Sequence, residues 1–491
     1  MTDSSVNNTV LGLEIKQCKI LSSKGEEMDF KNAVTEYNYY EDLFSNFVYG
    51  TLMISDSNAF QNKHHWTGEE KLILEIDKPQ NNGKALPLKG EYKIFQMETR
   101  KLGNDTNENL TINFCSPQLS LSNQIKISKS YKGKKISDIV KDICKTFLGL
   151  RVEDEKDENG KVIKPSQLLV EPTLGTRDVV IPKLSPFEAI NWLATQAISE
   201  EIGLEGGANY HFWQNRDGFF FQSMLHRLNR VGDYQYTPPL SKEGQSGGKG
   251  SGYWYGTKNI EYQQPRWDPY EQIISFEVLD TYDTVKSAKK GMFANRLLSI
   301  DYLRRTHENA DFDFNKYWNF INKNIQMYKD EYFNNVRTFG KYSPAPDIDN
   351  SKESTIKVYP STTNQKKNPY IKGRQPNISS NYVEQFVPYR YGQTGLSGHN
   401  RIKILVPGDP YISVGKIVYV HFPKTSKGMT NATQEDVEDK FLAGFYMISA
   451  VRHMLNQENE FNTALELIKD SYHKPANEGK KENTETEDNE S

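Results

Sequence analysis

No apolar run in this sequence approaches the ~18 residues that a membrane-spanning helix requires, so no membrane segment is expected. Cysteine is scarce. The three present, Cys18, Cys115 and Cys144, are odd in number and far apart. That excludes a disulfide framework and a CxxC metal pair, and fits a reducing compartment. Neither sign of charge dominates: 61 basic against 64 acidic side chains leave a net charge of -3. General nucleic-acid binding therefore has no electrostatic basis. The opening residues, MTDSSVNNTVLGLEI, lack the basic region and apolar stretch of a secretory signal. Hydrophobic residues make up only 36% of 491 positions. One large compact core is excluded, and the length suggests roughly three domains.

Aromatics, by contrast, are abundant, with 28 Tyr and 24 Phe. Such rings suit half-buried sheets and interfaces, dry on one side and wet on the other. Strand-period alternation runs through NFVYGTLMIS, KLILEID, GEYKIFQMETRKL and NLTINFCS. The polar GNDTNEN between the last two predicts a hairpin. Helices are expected after Pro117. In KISDIVKDICKTFL, Ser137 is the expected cap, with Ile136, Ile139, Val140, Ile143, Cys144 and Phe147 on one face. LSPFEAINWLATQAIS has Ser185 as N-cap, Pro186 at the first position and Glu188 to complete a capping box. NYHFWQNRDGFFFQSM reads as a hairpin turning at Asp217-Gly218. Residues 241–252 are a flexible glycine/serine segment. IISFEVLD and NRLLSIDYLRR then read as strands flanking a short helix, TVKSAKKG. Residues 311–398 are polar, helical near FNKYWNFINKNIQMYKDEYF and irregular afterwards. The tail 473–491 has no large apolar residue and reads as disordered.

LVPGDPYISVGKIVYVHFP, from Leu405 to Pro423, has two glycines. A phosphate loop needs its glycines to feed a helix, with a Lys-Ser/Thr pair. Here Gly408 and Gly415 lead into strand, so both read as barrel corners. Two parts of the chain also match. Gly68 then KLILEID parallels Gly415 then KIVYVHFP. GEYKIFQMETRKL at Gly90 parallels GFYMISAVRHML at Gly444, each with a basic residue near its end (Arg100, Arg452). Thr111 and Thr463 open the closing strands. Three ordered matches at similar spacing indicate a duplicated β unit, with Gly68, Gly90, Gly415 and Gly444 as structural turns.

Catalytic candidates fail on context. Gly244–Gly248 spells G-x-S-x-G but sits in the flexible segment, not between strand and helix. His64 and His65 are adjacent, and adjacent strand residues point to opposite faces. DEKDENGKV is acidic without EF-hand ligand spacing. No pair of carboxylates stands out. No catalytic residue, cofactor site or metal site is expected.

In order, YGTLMISDSNAF, SPFEAINWLATQA, FWQNRDGFFFQS, KKGMFANRLLSIDYLRR, VPGDPYISVGKIVYVHFP and GFYMISAVRHML…LELIKDS resemble the baseplate hub proteins of contractile-tailed, T-even-like phages. These are related to the hub part of type VI secretion spikes. The resemblance covers residues 10–472, except 311–398. It implies a mainly β chain with an α+β middle domain: two similar tube-type β-barrel domains, an intervening α/β domain and a partly helical insertion. The corresponding division is 1–118 for the first barrel, 119–240 for the middle domain and 241–254 for a linker. The second barrel takes 255–310 with 399–472, the insertion 311–398. The resemblance further implies a non-enzymatic homotrimer in the virion tail baseplate, assembled in the host cytoplasm. It would join a threefold central spike or needle protein to the sixfold tail tube. Expected partners are that spike, tube or tube-initiator proteins, the tape measure protein and other baseplate wedge proteins. DNA would meet it only in transit. Secretion spikes fuse the hub to a β-helical needle. No such repeats follow here, so a separate needle protein is expected. Two alternatives are the hub of a contractile injection machine and, in another class, a β-rich peptidoglycan- or carbohydrate-cleaving enzyme.

Overall fold

The computed structural model describes residues 13–56, 66–77, 87–104, 107–157, 160–203, 209–229, 253–256, 273–281, 283–301, 305–324, 356–360, 383–397, 400–422, 439, 441–458 and 460–471. His64, His65, the Gly244–Gly248 motif, the flexible segment and the tail lie outside them.

The chain is mainly β with interspersed helices. It begins with seven strands: β1 (Glu14–Leu21), β2 (Glu27–Asp29), β3 (Val34–Asp42), β4 (Tyr49–Asp56), β5 (Lys71–Asp77), β6 (Leu88–Asn104) and β7 (Asn107–Cys115). Alternation makes them strands. Leu52 and Ile54 of β4, and Leu72, Leu74 and Ile76 of β5, are buried at every second position. They share a core with Cys18, Ile20, Tyr37, Tyr39, Tyr92, Ile94 and Phe114. The β6–β7 hairpin turns between Asn104 and Asn107, within the polar stretch.

The middle of the chain holds α1 (Pro117–Gln124), β8 (Ile127–Lys134), α2 (Ile136–Phe147), β9 (Glu155–Lys156), β10 (Val162–Lys164), β11 (Leu168–Val170), β12 (Arg177–Leu184), α3 (Pro186–Ala194), β13 (Tyr210–Asn215), β14 (Gly218–Ser223) and α4 (Met224–Asn229). Both α2 and α3 bury their apolar stripes in one core with Tyr210, Phe212, Phe219 and Phe221. Ser185 and Glu188 form the capping box at the start of α3. Two details differ from the sequence reading. Ser137 is not the cap of α2, which is Lys135; Ser137 lies inside the helix, and its N–H donates to Thr173 Oγ1 at 2.9 Å. The β13–β14 turn is Arg216-Asp217, because Asn215 pairs with Gly218.

Next come β15 (Tyr253–Gly256), β16 (Ser275–Asp280), α5 (Thr284–Lys289), β17 (Ala294–Asp301), β18 (Thr306–Asp313), α6 (Phe314–Asn324), β19 (Ile356–Pro360) and α7 (Val383–Ser397). The last strands are β20 (Asn400–Pro407), β21 (Ile417–His421), β22 (Gly444–Leu455) and β23 (Phe461–Lys469). NRLLSIDYLRR was expected in the second barrel. Its described part, β17, instead builds a separate sheet of order β18-β17-β19. Alternation identifies a strand but not its partner. Residues 383–397, expected to be irregular, form α7 despite an internal Pro388.

One 13-stranded sheet dominates, in the order β16-β20-β23-β22-β3-β4-β7-β6-β5-β1-β2, with β21 also on β22 and β15 on β21. It contains two runs of the same order: β3-β4-β7-β6-β5-β1 and β16-β20-β23-β22-β21-β15. Within each run neighbours are antiparallel, except that β15 lies parallel to β21. Registers agree as well. Thr99, nine residues after Gly90, faces Thr111; His453, nine after Gly444, faces Thr463. A bulge falls five residues after each glycine, at Phe95 and at Ser449. In this register the counterpart of Arg452 is Glu98 rather than Arg100. The two runs join where the second half of β22 pairs antiparallel with β3, from Ala450↔Asp42 to Leu455↔Tyr37. Among the described residues the ladder does not close into a barrel.

Candidate functional site

The loop between β20 and β21, Gly408 to Lys416, is where both halves of the large sheet meet the middle of the chain. β23 anchors its start: Gly408 N–H donates to Phe461 O at 2.9 Å and Asp409 N–H to Thr463 Oγ1 at 3.1 Å. His453 of β22 lies beside it, with Nδ1 3.0 Å from Thr463 Oγ1 and Nε2 3.1 Å from Ile412 O. A carbonyl can only accept, so Nε2 carries the proton and Nδ1 accepts from the threonine hydroxyl. Burial favours this neutral form and pushes His453 down to about 4.

From the first half, Glu41 of β3 enters the loop fully buried. Its carboxylate accepts from Val414 N–H at 3.0 Å and from Arg216 N–H at 2.7 Å. Tyr39 OH donates to it at 3.3 Å. Burial pushes Glu41 up to about 7, and the two N–H donors limit the rise. Asp77, at the end of β5, accepts from Tyr411 OH at 2.6 Å and pairs with Lys16 at 2.8 Å.

The middle of the chain contributes two guanidinium groups. Arg216, in the β13–β14 turn, donates to Pro410 O and lies 5.3 Å over the Tyr411 ring. Arg227, in α4, donates from Nε to Gly415 O at 2.5 Å and sits 5.7 Å over Phe220. Lys416 Nζ donates back to Tyr411 O at 2.8 Å, and burial lowers it to about 8. Hydrogen bonds to charged groups contribute about 1.5–3 kcal/mol each. The arrangement is therefore a multi-point lock on one loop. Its charged groups are spent on backbone carbonyls, N–H groups and one another, which suits fixed geometry rather than turnover.

Beside the lock runs the β3–β22 seam. Arg452 donates from Nε and Nη2 to Asn38 Oδ1 at 3.0 and 2.8 Å and lies 5.5 Å over Tyr40. Tyr39 stacks on His453 with centroids 6.1 Å apart.

Three of the four glycines singled out in the sequence have positive φ: Gly68 at 80°, Gly415 at 79° and Gly444 at 130°. Gly90 is not a turn. It is the third residue of β6, opposite Leu74, and the Tyr92 ring occupies the space a Cβ would need. Gly408 is needed for a similar reason, since the Phe461 ring covers it. Of DEKDENGKV, Glu155–Lys156 are β9 and Val162 opens its partner β10, and Asp157 accepts from Lys161 N–H at 2.8 Å. All three cysteines are buried and free. Among the described residues no cluster of His, Cys, Asp and Glu could hold a metal, and no helix is long and apolar enough to cross a membrane. Sequence reasoning missed Glu41, Asp77, Arg216 and Arg227. For Glu41 the available signal was a charged residue on the core-facing parity of Tyr37 and Tyr39; Asp77 ends its strand off the core face, Arg216 lies in a turn and Arg227 in a helix, where alternation carries no such signal.

No family model and no curated protein matches the chain. Among solved structures, it is similar to a tail protein from Neisseria meningitidis MC58. Identity is 12%, 94% of this chain and 97% of that one are covered, and the TM-score is 0.48. It is also similar to the 43 kDa tail protein of prophage MuSo2 from Shewanella oneidensis, at 7% identity, 93% and 99% coverage and TM-score 0.46. A third is the E. coli c3393 protein, described as a component of the type VI secretion system with structural similarity to T4 bacteriophage tail proteins gp27 and gp5. Identity there is 9%, coverage 94% and 79%, and the TM-score 0.38.

Proposed function

We propose that this protein is a structural, non-enzymatic hub of a phage tail baseplate. It acts as a homotrimer that adapts a threefold central spike to the sixfold tail tube and lines the tail channel. The observation that carries this reading is the internal repeat: two runs of one strand order, joined edge to edge through β22 and β3. A chain with two equivalent wall segments gives six around the axis of a trimer, which reconciles threefold with sixfold symmetry. The locked 408–416 loop fits that role, because a wall segment must keep its curvature under load.

In this reading the wall segments are 13–115 and, together, 253–280 with 400–471. The described residues of 117–229 form the middle domain and those of 283–397 an inserted one. The spike or needle protein, tube or tube-initiator proteins, the tape measure protein and wedge proteins are its partners in the virion, with DNA passing through the lumen. The test is the mass of the purified full chain by light scattering. A species of three times 56.5 kDa supports the reading, and a monomer at micromolar concentration overturns it.

A further inference from the structure

The internal seam is a template for a second seam that the described strands of the chain do not make. In the repeat, β3 corresponds to β16 and β22 to β6. The first half of β22 pairs with β21, and its second half, beyond the bulge, pairs with β3. The first half of β6 likewise pairs with β5, as far as Lys93. Beyond the Phe95 bulge, no described strand pairs with that side of β6. Nor does any described strand pair with the side of β16 that faces away from β20.

The exposure of the two equivalent strands differs in the same sense. No residue of β3 is exposed, whereas Ser275 to Val278 of β16 all are. Ile274, Phe276 and Val278 share one face and are 54%, 49% and 39% exposed. Among the described residues the Phe276 ring meets that of Phe422, with centroids 5.0 Å apart. By register these three stand where Glu36, Asn38 and Tyr40 stand in the first run, and Asn38 and Tyr40 are the residues that hold Arg452 across the internal seam. An apolar, unpaired edge strand is an invitation to strand addition. On β6, Phe95 is 52% exposed beside the other open edge.

We propose that β16 of one copy adds antiparallel to β6 of the next, over Gln96 to Lys101. Transferring the internal register sets Val278 opposite Glu98, Glu277 opposite Thr99 and Phe276 opposite Arg100. The contact is head-to-tail: each copy gives a β16 edge and receives on a β6 edge, as a ring of copies requires. The proposal rests on the hub reading for the closure at three copies, but not for the strand pairing.

Paired residues on adjacent antiparallel strands have Cα atoms about 4.5–5.5 Å apart, within disulfide reach. The test uses the full chain with Glu98→Cys/Val278→Cys and, separately, Thr99→Cys/Glu277→Cys, mildly oxidised and run on non-reducing gels. One of these adjacent pairs is hydrogen-bonded and the other is not, so at least one has favourable geometry. Glu98→Cys/Phe276→Cys is the shifted-register control, and each cysteine alone is the background. The native cysteines are buried. We expect covalent dimers and trimers from a matched pair at about tenfold or more over both controls, with light scattering of the unoxidised variants reporting mass. A trimer in which neither matched pair cross-links overturns the seam and leaves the hub reading standing. Cross-linking of the matched pair in a chain that is otherwise monomeric supports the seam and overturns the trimer. Dimers from Val278→Cys alone would mean that β16 meets another β16, which also overturns the proposal.

Discussion

Gly68 and Gly415 form an internally controlled pair. Their φ angles are 80° and 79°, so an alanine at either position meets the same backbone strain. That strain is about 1–2 kcal/mol for a left-handed non-glycine residue. Their surroundings differ. A Cβ at Gly68 would meet nothing within 4 Å, whereas at Gly415 it would lie 3.1 Å from Arg227 Nε and 3.5 Å from Nη2. Arg227 cannot simply move aside, because its Nε donates to the carbonyl of the same glycine at 2.5 Å. Displacing it adds roughly 1.5–3 kcal/mol for a lost charge-assisted hydrogen bond. Gly68→Ala should therefore cost about 1–2 kcal/mol and Gly415→Ala about 2.5–5. Urea denaturation of both variants against the parent chain measures the difference directly. Equal shifts in midpoint would mean that Arg227 contributes nothing at this loop, and the lock would lose one of its two guanidinium anchors.

Three further outcomes follow from the same geometry. Buried neutral His453, held at about 4, and His211, pushed to about 3 by burial and by Arg390, give stability that is present above pH 6.5 and lost as pH falls. Glu41, raised from 4.5 to about 7, acts with the opposite sign: its contribution is full below pH 4.5 and lost as pH rises to 7. Glu41→Gln should therefore steepen the loss of melting temperature between pH 6.5 and 4.5, and an unchanged slope would contradict the assignment. Ser185→Ala removes the hydroxyl that accepts from Glu188 N–H at 3.4 Å and donates to its carboxylate at 2.8 Å, and should lower stability by about 1 kcal/mol in thermal unfolding, while Ser185→Thr, which keeps the hydroxyl, should retain most of it. Gly444→Val, at φ 130°, forces a β-branched residue into a backbone that L side chains avoid; for the proposed trimer, sedimentation should show soluble protein with a reduced trimer fraction, and a parental trimer content would show that this corner does not shape the assembly.

What was legible in the sequence followed the range of the signal. Period-two alternation found β4 to β7, β16 and β21 to β23 of the large sheet but did not single out β1, β2, β3 or β15; the Gly and Thr markers aligned two hairpins whose registers agree to the residue at Thr111 and Thr463. The capping box placed α3 because its grammar lies within four residues. Helix α7 was illegible for the converse reason. Pro388, Gly392 and Gly395 all argue against a helix, yet a Cβ at Gly392 would strike Phe312 and one at Gly395 would strike Met292. Those glycines are there to let β18 and the segment before β17 approach, a tertiary demand that local propensity cannot express. The lock is the extreme case. Glu41, Arg216 and Val414 meet only in the fold, and each alone resembles an ordinary surface or core residue.

The repeat gives these differences a direction. Where two segments share strand order, bulge position and register, the positions that diverge are those whose surroundings differ between them. Tyr37 and Tyr39 of β3 are buried, while Ser275 and Glu277, at the equivalent positions of β16, are exposed. Asn38 and Tyr40 receive Arg452, while no described strand lies across the open edge from Phe276 and Val278. Arg452 has become Glu98 at the position that would face them. A seam made within one chain forms at high effective concentration and can rely on a buried polar clasp. A seam made between chains must overcome the entropy of association, and apolar burial along an open edge is the larger driving force available to it. The divergence between the two repeats therefore runs in the sense expected if one edge was shaped to pair within the chain and the other to pair with a neighbour.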